Sequence, residues 1–252
     1  MADYQDIGKL LQAPFKPRLY CLLKVGREEH LQLLRRGRLF CRPLSFYKKV
    51  EGEPLPFQDT HEGLLGIFQA ERTEWRFTPR SGPPIIINSD TGLIGEVYVS
   101  ADYANPVFCL HAIHAGQWSD RTFGQDELDA FKAYVQIPDS MSKFGTHVWV
   151  ITSGEEFARR LSEACARLNI VYSRGLVRYV DPKQVHGTIP KGLSAFVKRR
   201  LFEDEREYRF FFGSKGHPLP DPFILDIGSL EDISQVMSFE DFRKSWAISF
   251  PE

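Results

Sequence analysis

Glu205 and Glu207 stand on either side of Arg206 at the head of an alternating run, Glu205-Arg206-Glu207-Tyr208-Arg209-Phe210-Phe211-Phe212. Side chains alternate along a strand, so Glu205, Glu207 and Arg209 are expected on one face and Tyr208, Phe210 and Phe212 on the other. The aromatic face reads as core. The charged face holds two carboxylates beside a guanidinium and is expected to meet water, a partner or a ligand. Its plainest form is a solvated surface laced with weak ion pairs. Glu-x-Glu at a strand entry is also where a carboxylate can hydrogen-bond a ribose 2′-hydroxyl and stabilise an oxocarbenium-like centre.

Three further groups could do chemistry. Asp59, His61 and Glu62, in Gln58-Asp59-Thr60-His61-Glu62-Gly63, suit acid–base work, or a solvated loop with a glycine turn. Arg18 and Tyr20 share a face of the first strand and suit a phosphate and an aromatic ring, or simply an amphipathic strand end. Lys191, Lys198, Arg199 and Arg200 form a basic stretch able to contact phosphate, although a solvated face explains such runs more often. Cys109-x-His111-x-x-His114 invites a zinc reading, but on a strand the two histidines point to opposite faces and no second pair matches them. Phosphate-cradling GxxxxGK[ST], GxGxxG after a strand and GxSxG are all absent from the sequence, which disfavours kinases, P-loop ATPases, Rossmann dehydrogenases and α/β-hydrolases.

The elements that must carry these residues follow from hydrophobic period and punctuation. Asp3 to Gln12 predicts a short helix broken by Pro14 and Pro17, and Arg18 to Lys24 a strand. A helix with Glu28 and Glu29 in its first turn ends at Gly37, and Arg38 to Arg42 is a second strand. Leu44 to Val50 reads as a helical turn and Glu51 to His61 as an acidic loop. Leu64 to Arg72 and Glu74 to Thr78 are expected to pair as a hairpin, followed by strands at Ile85 to Asn88, Gly95 to Ser100 and Pro106 to His114. Asp126 to Val135 has helical spacing. After a strand from Thr146 to Thr152, Ser153 and Glu156 make a capping-box pattern ahead of the stripe Phe157, Leu161, Ala164, Cys165 and Leu168. Later strands are Leu176 to Val180, Glu207 to Phe212, Phe223 to Ile227 and Ile233 to Met237, with a closing helix from Phe239 to Trp246. Strands come in runs, so the expected fold is a single α+β domain over residues 1–252, with a mixed or antiparallel split sheet flanked by a few helices.

Composition agrees with a folded domain. Of 252 residues, 42% are hydrophobic and 26% charged, and 20 Phe can fill a sizeable core. Net charge is −1, so no global basic field draws the chain onto nucleic acid or a membrane. Cys21, Cys41, Cys109 and Cys165 lie in apolar contexts without a CxxC pair, which reads as reduced thiols of a cytoplasmic protein. The stretch from Met1 to Pro14 is polar and acidic, so neither a signal peptide nor a membrane partner is expected.

In feature order the chain resembles a prokaryotic family met near phage-defence and mobile genes. The likeness lies in a Leu-Tyr strand and helix, Gly37-Arg38-Leu39-Phe40, an acidic loop closing on Glu62-Gly63, and Lys198 ahead of Glu207-Tyr208-Arg209. More distantly it is similar to Arg-Ser-Glu ADP-ribosyltransferases, through Arg18, then Ser100 in Val97-Tyr98-Val99-Ser100, then Glu205 and Glu207. That similarity implies an ADP-ribosyltransferase-like sheet and NAD as substrate. Arg18 would grip the dinucleotide and Ser100 steady the ribose pocket. Glu207 would polarise the 2′-hydroxyl, with Glu205 orienting the acceptor and Tyr20 beside the cofactor. The usual Ser-Thr-Ser is only Val99-Ser100-Ala101 here, and the gap between the first and middle elements is long.

The leading expectation is a transferase moving ADP-ribose from NAD to a nucleic acid or protein acceptor, as a toxin or phage-defence effector with an antitoxin or defence-system partner. The alternative is a non-catalytic binding module of a defence or regulatory assembly, docking through the charged strand face. A metal-dependent nuclease built on Asp59 and Glu62 ranks last.

Overall fold

The chain is described from a computed structural model over residues 4–48, 58–119 and 124–248. It begins with β1 (Gln5–Asp6), α1 (Ile7–Gln12), β2 (Leu19–Gly26), α2 (Glu28–Arg35) and β3 (Arg38–Pro43). Next come β4 (Leu64–Gln69), β5 (Trp75–Phe77), β6 (Ile85–Ile87), β7 (Glu96–Ser100) and β8 (Pro106–His114). The middle holds α3 (Gln125–Tyr134), β9 (His147–Ile151), α4 (Gly154–Arg167), β10 (Ile170–Leu176) and β11 (Arg178–Val180). The last elements are β12 (Val185–Thr188), β13 (Val197–Arg199), β14 (Glu207–Ser214), β15 (Phe223–Asp226), β16 (Ser234–Ser238) and α5 (Phe239–Ser245).

A large antiparallel sheet runs β10-β14-β8-β2-β9-β16, with β3 pairing one end of β8 and β15 pairing β3. A second, mixed sheet runs β1-β12-β4-β7, where only β1–β12 is parallel. The expected α+β class with mixed and antiparallel sheets therefore holds. Among the described residues, no helix is long and apolar enough to cross a membrane.

Strand alternation divides the large sheet into two unlike faces. One face packs Leu22, Leu110, Trp149, Phe210 and Phe212 against α2 and against Phe157 and Leu161 of α4. The other places Leu23, Ile113 and Val148 against Phe131 of α3 and Phe242 of α5. The second sheet has its own core of Leu64, Ile67, Val185 and Val197, closed by Ile7 and Leu11 of α1.

Helix α4 shows how local sequence sets an element. Ser153 Oγ accepts from the Glu156 N–H at 3.4 Å, and Glu155 and Glu156 occupy the positive first turn. Glu156 does not complete a capping box: its carboxylate binds Arg159 and Arg160 instead. The stripe buries Phe157 completely, which is worth roughly 1.5–3 kcal/mol, and Phe157→Ala would cost about 3–5 kcal/mol once the cavity is counted. At the end of α2, Gly37 has φ +85°, and a Cβ there would lie 1.8 Å from the Gly228 carbonyl oxygen. No side chain fits that approach.

Several expectations are corrected. The anticipated hairpin of 64–72 with 74–78 does not form: β4 pairs with β7 and β12, while β5 pairs with β6. Strands β10 and β12 were not anticipated. The expected strand from Leu176 to Val180 is the end of β10 followed by β11. Residues 51–57 of the expected acidic loop lie outside the described residues.

Candidate functional site

Glu207 and Arg209 share a face of β14, as alternation requires, but that face is buried within the chain. It lies against β13 and the 59–62 segment, with Glu207 6% and Arg209 2% exposed. The surface-face expectation is thereby overturned. Glu205 is not on the strand: it ends a 3-10 turn (Arg200–Glu205), and Arg206 then takes the left-handed conformation, φ 39° and ψ 51°. That twist brings Glu205 back toward Glu207.

The result is a sealed band of charge. Arg209 Nε donates to Glu207 Oε1 at 2.6 Å, and its Nη1 to Glu62 Oε1 at 2.8 Å and to the Ala195 carbonyl at 2.5 Å. Lys198 Nζ donates to Glu205 Oε2 at 2.7 Å and to Glu207 Oε2 at 3.4 Å, and lies 3.6 Å from Glu62 Oε2. Lys143 stands 3.8 Å from Glu205 Oε1. Burial opposes the charges of Glu207, Lys198, Arg209 and Glu205, and opposite charges decide the outcome for the first three. Arg209 and Lys198 hold the Glu207 carboxyl well below its ordinary range. Glu207, Glu62 and Glu205 keep the Lys198 ammonium charged. For Glu205 burial prevails and its carboxyl is raised. Next to the band, Arg199 Nη2 donates to Asp59 Oδ1 at 2.6 Å. Asp59 and Glu62 are both buried, so the solvated-loop reading of that segment is also corrected.

The other members of the expected cofactor site lie elsewhere. Arg18 is exposed, and its backbone N–H donates to Ser119 Oγ at 2.9 Å. It precedes β2, which β8 separates from β14. Tyr20 is 39% exposed, with its ring 6.2 Å from that of Phe131. Ser100 belongs to the second sheet, where its hydroxyl accepts from Lys48 Nζ at 3.1 Å while Lys48 pairs with Asp102. The structure thus brings Glu205 and Glu207 together with Lys198, Arg209 and Glu62, and gathers neither Arg18, Tyr20 nor Ser100 to them.

A cleft opens on the other side of this band. It has a volume of about 330 Å³ and is lined by Phe15, His114, Tyr134, Arg178, Tyr179 and Arg206, with Glu203 and Asp204 also on its lining. Tyr179 forms the partition: its hydroxyl accepts the Glu207 backbone N–H at 2.9 Å. Arg178 donates to the carbonyls of Ala13 and Leu10 at 3.2 and 3.3 Å, at the C-terminal end of α1, and its guanidinium lies 4.7 Å from the Phe15 ring. Arg206 donates to the carbonyls of Tyr134 and Gln136 at the end of α3 and lies 4.3 Å from the Tyr134 ring. Among the described residues, neither guanidinium has a carboxylate within ion-pair distance, and burial lowers the pKa of both. Asp204 is turned to Ser140, whose hydroxyl donates to it at 2.7 Å.

The two histidines of Cys109-x-His111-x-x-His114 are neutral here. Burial and Arg206 lower His111 to about 3 and His114 to about 4. His114 Nδ1 accepts from the Gly116 N–H at 3.0 Å, so its remaining proton sits on Nε2.

Compared with protein-family models, curated proteins and solved structures, the chain matches none.

Proposed function

We propose that the protein binds a phosphate-bearing nucleotide in this cleft. One observation carries the reading: two guanidiniums with no carboxylate in ion-pair distance among the described residues converge among the rings of Phe15, Tyr134 and Tyr179. Each spends two donors on helix-end carbonyls and keeps N–H groups and a net charge for an anion. The rings offer π-faces for a base. Glu203 and Asp204 are exposed carboxylates, suited to accept from ribose hydroxyls. The volume lies at the lower end of that usual for small-molecule sites. Arg206 is also one of two non-glycine residues of positive φ among the described residues, the kind of local strain that collects at binding sites.

ADP-ribosyl transfer from NAD, with an ADP-ribosyltransferase-like fold, remains the enzymatic form of this proposal. The cleft supports its ligand class. It does not support Arg18, Ser100 and Glu207 as the machinery, because the first two are remote and the third is enclosed behind Tyr179. The enclosure of Glu207 favours the second form, a non-catalytic binding module, whose binding surface is then the cleft and not the Glu207 face.

Calorimetric titration with AMP, ADP and NAD tests the reading. Loss of either arginine, by Arg178→Ala or Arg206→Ala, is expected to weaken binding by about 10- to 100-fold, the worth of charge-assisted hydrogen bonds. Unchanged affinity in both variants ends the proposal. NAD consumption by the wild type that is lost in Arg206→Ala would select the transferase; turnover at background in both would select the binding module.

A further inference from the structure

The cleft has a smaller neighbour. A cavity of about 120 Å³ lies beside α1, lined among others by Gln5, Leu10, Gln184 and Arg200, and it shares Arg178 and Tyr179 with the cleft. Arg178 marks the junction. Its guanidinium donates to Leu10, which lines the small cavity, and lies over Phe15, which lines the large one. Arg200 is 55% exposed at its side chain, and its partner Glu203 is 4.0 Å away, so its charge is only weakly engaged. Asp181 also borders the cavity, but its Oδ1 accepts the Lys183 N–H at 3.0 Å and so caps the following turn. The space equals about four waters, room for a phosphate group but not for a second nucleoside.

We infer that the ligand is a nucleotide with a chain of phosphates, its base and ribose in the cleft and its tail passing Arg178 to end near Arg200. This rests on the nucleotide reading and adds the length and direction of the tail. Three cationic groups then follow one another along the ligand: Arg206 in the cleft, Arg178 at the junction and Arg200 in the small cavity.

Titration of the full chain with AMP, ADP and ATP in magnesium-free buffer tests it. Affinity is expected to rise with each phosphate, ATP binding at least about tenfold more tightly than AMP. Arg200→Ala, an exposed change that leaves the core intact, is expected to bring ATP down to about the affinity of ADP, which keeps Arg178, and Arg200→Lys to restore part of the difference. NAD, which carries a second nucleoside beyond its diphosphate, is expected to bind no better than ADP. A flat series, a series that survives Arg200→Ala, or NAD binding more tightly than ATP would overturn the inference and leave the nucleotide reading standing. Failure of AMP, ADP and ATP alike to bind would remove both.

Discussion

The charged band around Arg209 and the cleft around Arg206 begin three residues apart in the chain, yet they treat charge in opposite ways. Arg209 is 2% exposed and meets two carboxylates and a carbonyl. Arg206 is half-buried and meets carbonyls and a ring, and among the described residues no carboxylate comes within ion-pair distance of it. The band holds the denser collection of ionisable groups but has spent almost all of its hydrogen-bonding capacity on itself. The cleft holds fewer and has some left. A run of charges in a sequence therefore marks a place where charge is managed, and only the unmatched remainder marks where a ligand can be held.

Arg209→Ala breaks this contrast most deeply. It leaves Glu62 and Glu207 buried with Lys198 as their remaining cation, and is expected to cost about 3–5 kcal/mol in urea denaturation. A loss under about 1 kcal/mol would mean that the band is open to water. Arg206→Ala is expected to spare most of the stability and remove most of the nucleotide affinity, the reverse pattern.

Acid provides a second separation. His111 and His114 are held near 3 and 4, below the ordinary 6.5, so the unfolded chain binds more protons between those values. Their contribution to stability is complete above about pH 6.5 and declines as pH falls toward 4. The melting temperature should drop over that window, and His114→Gln should flatten part of the slope; an unaltered slope would place the cause elsewhere.

A finer comparison isolates the backbone. Arg206→Gly and Arg206→Ala remove the same side chain, but only glycine relieves the left-handed conformation, so the glycine variant should be more stable by about 1 kcal/mol. The smallest effects are expected at Ser100→Ala and Arg18→Ala, each within about 0.5 kcal/mol in stability and neutral for nucleotide affinity. A large loss of affinity in either would return them to the site.

Part of this was legible in the chain itself. Strand alternation placed Glu207 with Arg209 and the aromatic side chains opposite, and the stripe of α4 was read correctly except at Leu168, which caps the helix and is 55% exposed. The sealing of the charged face was not legible. Lys198 and Glu62 lie outside the strand, and nothing local signals that they meet Glu207. The left-handed turn at Arg206 displaced Glu205 from the expected strand for the same reason: a non-glycine residue adopts it under tertiary constraint. Edge strand β10 was missed because its alternation is broken by Ser173 and Gly175, and β12 because it is four residues long with a central glycine. The cleft escaped entirely. Phe15, His114, Tyr134, Arg178 and Arg206 come from five separate segments; His114 and Arg206 lie in stretches that local chemistry singles out, but for a metal and for the flanking carboxylates, and nothing local joins them to the other three.

The contact of Glu62 with Arg209 spans 147 positions of the chain. Loop closure over that distance costs entropy, so the contact is expected to form late in folding, and Glu62→Gln to speed unfolding more than it slows folding. On the ribosome Glu62 emerges long before its guanidinium partner is made, and until then its carboxylate is best left hydrated. The pairing that locks the finished molecule can therefore form only once β14 has been made.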